Sequence, residues 1–287
     1  MSILLTGATS GNCQKIIPAT LVYKAEASTG EGAIWHPYRN TLFWVDIEGQ
    51  KLYEYIPEKG DCDQWSFDRM ISTVVPETKN TVIVALQDEI VRLDLITNER
   101  TSIAPINDEN GTLRSNDGKC DPEGRLWIGT MTLDAPKGSA ALHRVHPTGE
   151  LTTVLEGVTI SNGIVWSHDK KYMYYADTPT GKIDRFIYSP ETGDIEFDGI
   201  AITIDSSQGS PDGMTIDENG NLWVAQWGGY GIYCYNPHTG ELIAKVEVPA
   251  PNVTSCAFGG ENLDTLYITT ACGSLSEEDK NKYPIIC

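Results

Sequence analysis

The chain has 287 residues and carries 21 Lys plus Arg against 40 Asp plus Glu, a formal net charge of −19. That balance argues against nucleic acid and against an anionic membrane surface, because both are bound by neutralising phosphates. With 40% hydrophobic residues, seven Trp and thirteen Tyr, the chain can build a sizeable core and is not a disordered polyanion.

The N-terminal MSILLTGATSGNC lacks the basic start and long apolar stretch of a secretory signal. No run approaches the ~18 apolar residues of a membrane helix. The seven cysteines are odd in number and form no CxxC pair, which points to reduced thiols and a cytoplasmic protein. Residues 1–17 read as a flexible N-terminal extension and residues 18–287 as one domain, a monomer or weak homodimer.

From residue 36 onward one phrase recurs, a turn followed by a short aromatic or β-branched strand. It reads HPYRNTLFWVD, PETKNTVIVA, DPEGRLWIGT, SHDKKYMYYAD, DENGNLWVAQ and GGENLDTLYIT. Taking Leu42, Val82, Leu126, Met173, Leu222 and Leu266 as equivalent, the steps are 40, 44, 47, 49 and 44 residues. A second strand with a tight turn follows most units, as in KLYEYIPEKG and GIYCYNPHTG, and a further strand lies beyond it. No stretch has a sustained helical stripe; SLSEEDKNKY reaches one or two helical turns at most. Four short strands per unit of ~45 residues define a propeller blade, so the chain is expected to be all-β, a six-bladed β-propeller. The last unit has no hairpin partner after LDTLYITT. Either the strand near ATLVYKAE completes one blade or the last blade is short, and both can hold.

Ten or eleven residues before each anchor stand Glu31, Ser72, Asn116, Asn162, Asp212 and Ser255. In a radial repeat these equivalent positions ring one end of the channel. Two carboxylates and two amides make an oxygen-rich set suited to one divalent cation: Ca²⁺, Mg²⁺ or Mn²⁺, with Fe²⁺ or Zn²⁺ as further candidates. Asn162-Gly163 and Asp212-Gly213 read equally as turn dipeptides, so the spacing leaves the two readings open. Glu31, between Gly30 and Gly32, is the member least explained as a turn. His36, Cys120 and Cys256 read as structural. Trp227 and Tyr230 are candidate aromatic walls that core packing explains as well.

From about Pro18 to Pro284 the chain resembles the gluconolactonase family, which includes regucalcin and the sugar-acid lactonases. The motifs are GEGAIWHP with TLFWVDI, LRSNDGKCDPEGRLWIGTM, SNGIVWS, SPDGMTID, LWVAQWGG and PNVTSCAFGG. The resemblance implies a six-bladed propeller with one divalent cation on Glu31, Asn162 and Asp212, substrate contacts from Arg114 and Asn116, and hydrolysis of an aldonolactone. Asp212 is the expected base. A further substrate-touching carboxylate would fall at Asp134. The family pattern continues past Tyr283-Pro284 into a final strand that this chain lacks. The same scaffold also suits an esterase for bulkier lactones or organophosphates, or a calcium-binding propeller without turnover.

Overall fold

The structure is a computed structural model and describes residues 2–4, 15–106, 111–146 and 148–283. It is an all-β propeller. Blade one comprises Gly30–His36, Thr41–Asp46, Lys51–Ile56 and Asp61–Ser66 as antiparallel neighbours, and blade two runs from Ile71–Pro76 to Arg100–Pro105. Blades three and four begin with Leu113–Cys120 and Ser161–Trp166. Blade five contains Ser210–Ile216, Leu222–Trp227, Gly231–Tyr235 and Leu242–Glu247, with Lys15–Pro18 added in parallel along its outer edge.

The expectation of six blades needs correction. Five sheets have four or five strands, and one further sheet has only three: Val253–Gly259, Thr265–Thr270 and Ser2–Leu4. This short sheet packs between blades five and one, so the inner strands still close a ring. The open edge foreseen after LDTLYITT is covered by Ser2–Leu4, paired antiparallel to Thr265–Thr270. ATLVYKAE forms no blade strand; its Tyr23 ring instead packs against Trp44 at 6.0 Å. Two parts of the expected N-terminal extension, Ser2–Leu4 and Lys15–Pro18, are thus strands that shield sheet edges. Cys13 and Cys287 lie outside the described residues.

The recurring phrase has a local cause. In DPEGRLW, Asp121 Oδ1 accepts from the backbone N–H of Glu123 and Arg125, while Oδ2 accepts from Trp127 Nε1 at 3.1 Å. In DENGNLW, Asp217 repeats the device with Asn219 N, Asn221 N and Trp223 Nε1. One carboxylate therefore locks the turn and anchors the strand that follows it. Apolar residues on both faces of these strands form six buried clusters, one at each junction between neighbouring sheets. Burial on both faces explains why the second strands read as continuous apolar runs and not as alternation. Among the described residues the C-terminal segment holds one short helix, Glu277–Lys282, whose first turn is capped by Ser276 Oγ accepting from Asp279 N at 3.1 Å.

Candidate active site

Every inner strand is irregular at the same height. Register shifts fall between Glu31 and Ile34, Ile71 and Thr73, Ser115 and Gly118, Ser161 and Ile164, Pro211 and Met214, and Val253 and Ser255. A bulge leaves residues unpaired and re-aims their side chains. The ring residues derived from the repeat spacing lie at or within these bulges. The Asn-Gly and Asp-Gly pairs are therefore not hairpin turns. Their glycines permit close packing of the inner strands: a Cβ on Gly163 would sit 2.6 Å from the Asp212 carbonyl, and one on Gly213 2.8 Å from Ser255 Oγ.

A cavity of about 500 Å³ opens at this end of the channel. Glu31, Arg114, Asn116, Asn162 and Asp212 all line it, and all are buried. They are joined by a chain of hydrogen bonds. Arg114 Nη1 donates to Asn116 Oδ1 at 2.7 Å; Asn116 Nδ2 donates to the Ser161 carbonyl at 2.7 Å and to Asn162 Oδ1 at 3.2 Å. Asn162 Nδ2 then donates to Thr178 Oγ1 at 2.8 Å, whose hydroxyl donates to the Pro211 carbonyl at 2.8 Å. Thr178 consequently fixes which face of the Asn162 amide is the acceptor presented to the channel.

Glu31 and Asp212 are buried near each other, and each affects the other's ionisation. Burial, and for Glu31 the charge of Asp117 next, pushes its carboxyl up to about 8 despite the N–H of Gly32 on Glu31 Oε2 at 3.0 Å. Asp212 is also held well above the usual carboxylate range, first by burial and then by Glu31. Its Oδ1 is buried without a hydrogen-bond partner among the described residues. Burial pulls Arg114 below the usual guanidinium range, opposed by the charge of Glu48.

Two buried carboxyls forced together, one with an orphaned oxygen, suit a hard divalent cation. The Asn162 amide oxygen, with a lone pair beyond the one used by Asn116, completes an oxygen donor set. Among the described residues no three His, Cys, Asp or Glu side chains form a metal-binding group. The candidate set does not need one, since its third member is an amide.

Some expectations separate from this cluster. Asp134 is exposed and is not among the residues lining the cavity. Trp227 lines it, but Tyr230 does not; the Tyr230 hydroxyl lies 3.4 Å from that of Tyr283. His36 is structural, with Nε2 at 2.9 Å from the Thr78 carbonyl. Cys120 and Cys256 are thiols that burial pushes up, to about 11 and about 12.

Sequence reasoning did not identify Glu48 or Thr178, which also line the cavity. Each follows an aspartate that ends the second strand of its blade. Asp46 accepts from the N–H groups of Ser28, Thr29 and Gly49, each at 3.1 Å. Asp177 accepts from those of Thr159 and Ile160. These carboxylates pin the rim loops on opposite sides of the ring. The signal was present in TLFWVD and YMYYAD, where a strand otherwise apolar ends in Asp.

The fold and site together define an all-β propeller with an acid- and amide-lined pocket at one end of its channel. Residues 29–272 match the SMP-30/gluconolactonase/LRE-like region, and the chain belongs to that family. It is 36% identical over 256 residues to pentonolactonase XacC of Haloferax volcanii, covering 88% of this chain and 85% of that one. It is 32% identical over 270 residues to regucalcin of Danio rerio, covering 93% and 91%. Among solved structures, a calcium-binding protein, regucalcin, from Agrobacterium tumefaciens str. C58 superposes with a TM-score of 0.89 at 27% identity, covering 95% and 92%.

Proposed function

We propose that this protein hydrolyses an aldonolactone to the aldonic acid, using one divalent cation held by Glu31, Asn162 and Asp212. In the same reading the three-stranded sheet is a shortened sixth blade. The observation that carries the reading is the buried Glu31–Asp212 pair with its orphaned Asp212 Oδ1, at the floor of a cavity also lined by Arg114 and Asn116. The name pentonolactonase, carried by a relative 36% identical to this chain, supports it.

A lactone is an activated ester, so the chemical task is modest. The cation would supply Lewis-acid polarisation of the lactone carbonyl and would lower the pKa of water in the site. Asp212 takes a proton from the attacking water as the new C–O bond forms. It returns that proton to the ring oxygen when the ester C–O bond breaks. Arg114, tied to Asn116, donates to substrate oxygens and offsets the negative charge that develops on the former carbonyl. Asn116 holds Arg114 and Asn162 in register. Ile47, Met131, Ile160 and Trp227 form the apolar part of the wall and limit access of water.

The test is proton release from a panel of aldono-γ- and δ-lactones by chelator-treated protein, with Mg²⁺, Ca²⁺, Mn²⁺, Zn²⁺ or Fe²⁺ restored singly. Saturable, cation-restored acid release supports the reading. A cation that raises the melting temperature while no lactone opens above the spontaneous rate would replace it with a binding role.

A further inference from the structure

We propose that Glu48 is the specificity-determining residue of this pocket, selecting uncharged polyhydroxylated lactones and rejecting those that carry a second carboxylate. The inference rests on the lactonase reading and deepens it.

Glu48 reaches the cavity from blade one, in the turn between Thr41–Asp46 and Lys51–Ile56. That turn is held in place. Gly49 N donates to Asp46 Oδ1 at 3.1 Å, and Gln50 N donates to the Ile47 carbonyl at 3.3 Å. A Cβ at Gly49 would run into the Asp46 carboxylate, so a larger residue there would displace the clamp. Ser28 and Thr29, pinned by the same carboxylate, form the adjoining rim. Glu48 is thus presented from a fixed backbone, and its own carboxylate has no hydrogen bond or ion pair among the described residues. A carboxylate held at the mouth of a polar cavity and left unpaired is available to accept hydrogen bonds from a ligand.

The charges facing the cavity favour the same substrate class. Glu31, Glu48 and Asp212 face it with Arg114 as the one cationic side chain among the described lining residues. Glu31 and Asp212 are committed to the floor, against each other. Arg114 is tied to Asn116, and of the carboxylates around it Glu48 acts on it most strongly. The part of the substrate remote from the reacting carbonyl therefore meets Glu48. Hydroxyl groups there donate to it, whereas a carboxylate there is repelled, and the one nearby cation, Arg114, is already engaged by Asn116 and by the charge of Glu48. Glu48 also occupies the role that family resemblance assigned to Asp134, which lies outside the cavity lining.

The experiment compares wild type, Glu48→Gln and Glu48→Lys on xylono-1,4-lactone, glucono-1,5-lactone and glucaro-1,4-lactone, the last bearing a second carboxylate. Glu48 is exposed and the changes leave the Asp46 clamp intact. Removing an acceptor used equally in ground and transition states raises KM with little change in kcat. E48Q should raise KM for the uncharged lactones about threefold to tenfold. E48K should shift the ratio of kcat/KM, carboxylated over uncharged, upward by at least about tenfold. If wild type opens the uncharged lactones but both variants keep its KM and ratio within twofold, the assignment of Glu48 is wrong and the lactonase reading stands. Equal use of glucaro-1,4-lactone and the uncharged lactones by wild type also overturns it. If wild type opens none of the three, the lactonase reading falls and takes this inference with it.

Discussion

Arg114 Nη1 donates to Asn116 Oδ1 at 2.7 Å within one strand, and Asn116 Nδ2 in turn reaches Asn162 Oδ1 at 3.2 Å on the next blade, so that two neighbouring bulges act as one unit. The Asn116 amide is fully committed, because its Nδ2 reaches both the Ser161 carbonyl and Asn162 Oδ1. The inner strand of blade three therefore sets the orientation of the blade-four amide proposed as a cation ligand. Asn116→Ala leaves Arg114 with only its bond to the Ser115 carbonyl and takes from Asn162 Oδ1 its amide donor, so that Thr178 alone holds the Asn162 amide. Losing a buried partner costs about 1–3 kcal/mol, so kcat/KM for lactone opening should fall about tenfold to a hundredfold. Steady-state kinetics beside a thermal melt separate this from unfolding. Unchanged kcat/KM in a folded variant would contradict the coupling.

Asp212→Asn should have opposite effects on turnover and stability. It removes the proposed base, and rates should fall to the spontaneous background. It also removes a buried carboxyl that burial and the charge of Glu31 hold well above the usual range. In the presence of chelator at pH 8, the variant should therefore melt above wild type. A lower melting temperature together with retained turnover would refute both roles.

Cation uptake should release protons. Glu31 has an ordinary value near 4.5 and is pushed up to about 8 in the fold. Between those values the folded, cation-free protein holds more protons than the unfolded chain. Stability without cation therefore falls as pH rises through this window and levels off above it. A cation must displace the retained proton, so its affinity should rise with pH toward 8. Titration calorimetry at pH 6.5 in two buffers of different ionisation enthalpy reads the released protons directly. Identical heats in both buffers would count against a protonated pair.

The rim clamp can be tested at Asp46. Asp46→Ala strips the acceptor from the N–H groups of Ser28, Thr29 and Gly49. The expected cost is about 1–3 kcal/mol of stability, measured by urea denaturation. KM should rise as well, because Ser28, Thr29, Ile47 and Glu48 all line the cavity. A stability loss with unchanged KM would confine Asp46 to a structural role.

The candidate floor was legible because a radial repeat is periodic in sequence. Equal offsets from six anchor strands brought Glu31, Asn116, Asn162 and Asp212 to one end of the channel before any coordinates were considered. The same offsets could not distinguish a turn from a bulge at Asn162-Gly163 and Asp212-Gly213. That distinction depends on the neighbouring inner strand lying 2.6 Å from a would-be Cβ. Six blades is one more than the full sheets the structure shows. Strands are local in sequence, but the partner of Thr265–Thr270 is Ser2–Leu4, at the far end of the chain.

Sequence by itself determined the all-β propeller class, the repeat and the identity of the floor residues. Each follows from local composition and spacing, which a β-blade reads directly through its turns and its Asp-locked strands. Tertiary structure alone decided which carboxylates share the cavity. It placed Glu48 inside and Asp134 outside, and it brought Glu31 of blade one toward Asp212 of blade five across the short sheet between them. The physical reason is that burial and charge proximity belong to pairs of distant residues. A carboxyl near 4.5 in the chain becomes one near 8 only when folding buries it away from water, with the charge of Asp117 brought near it.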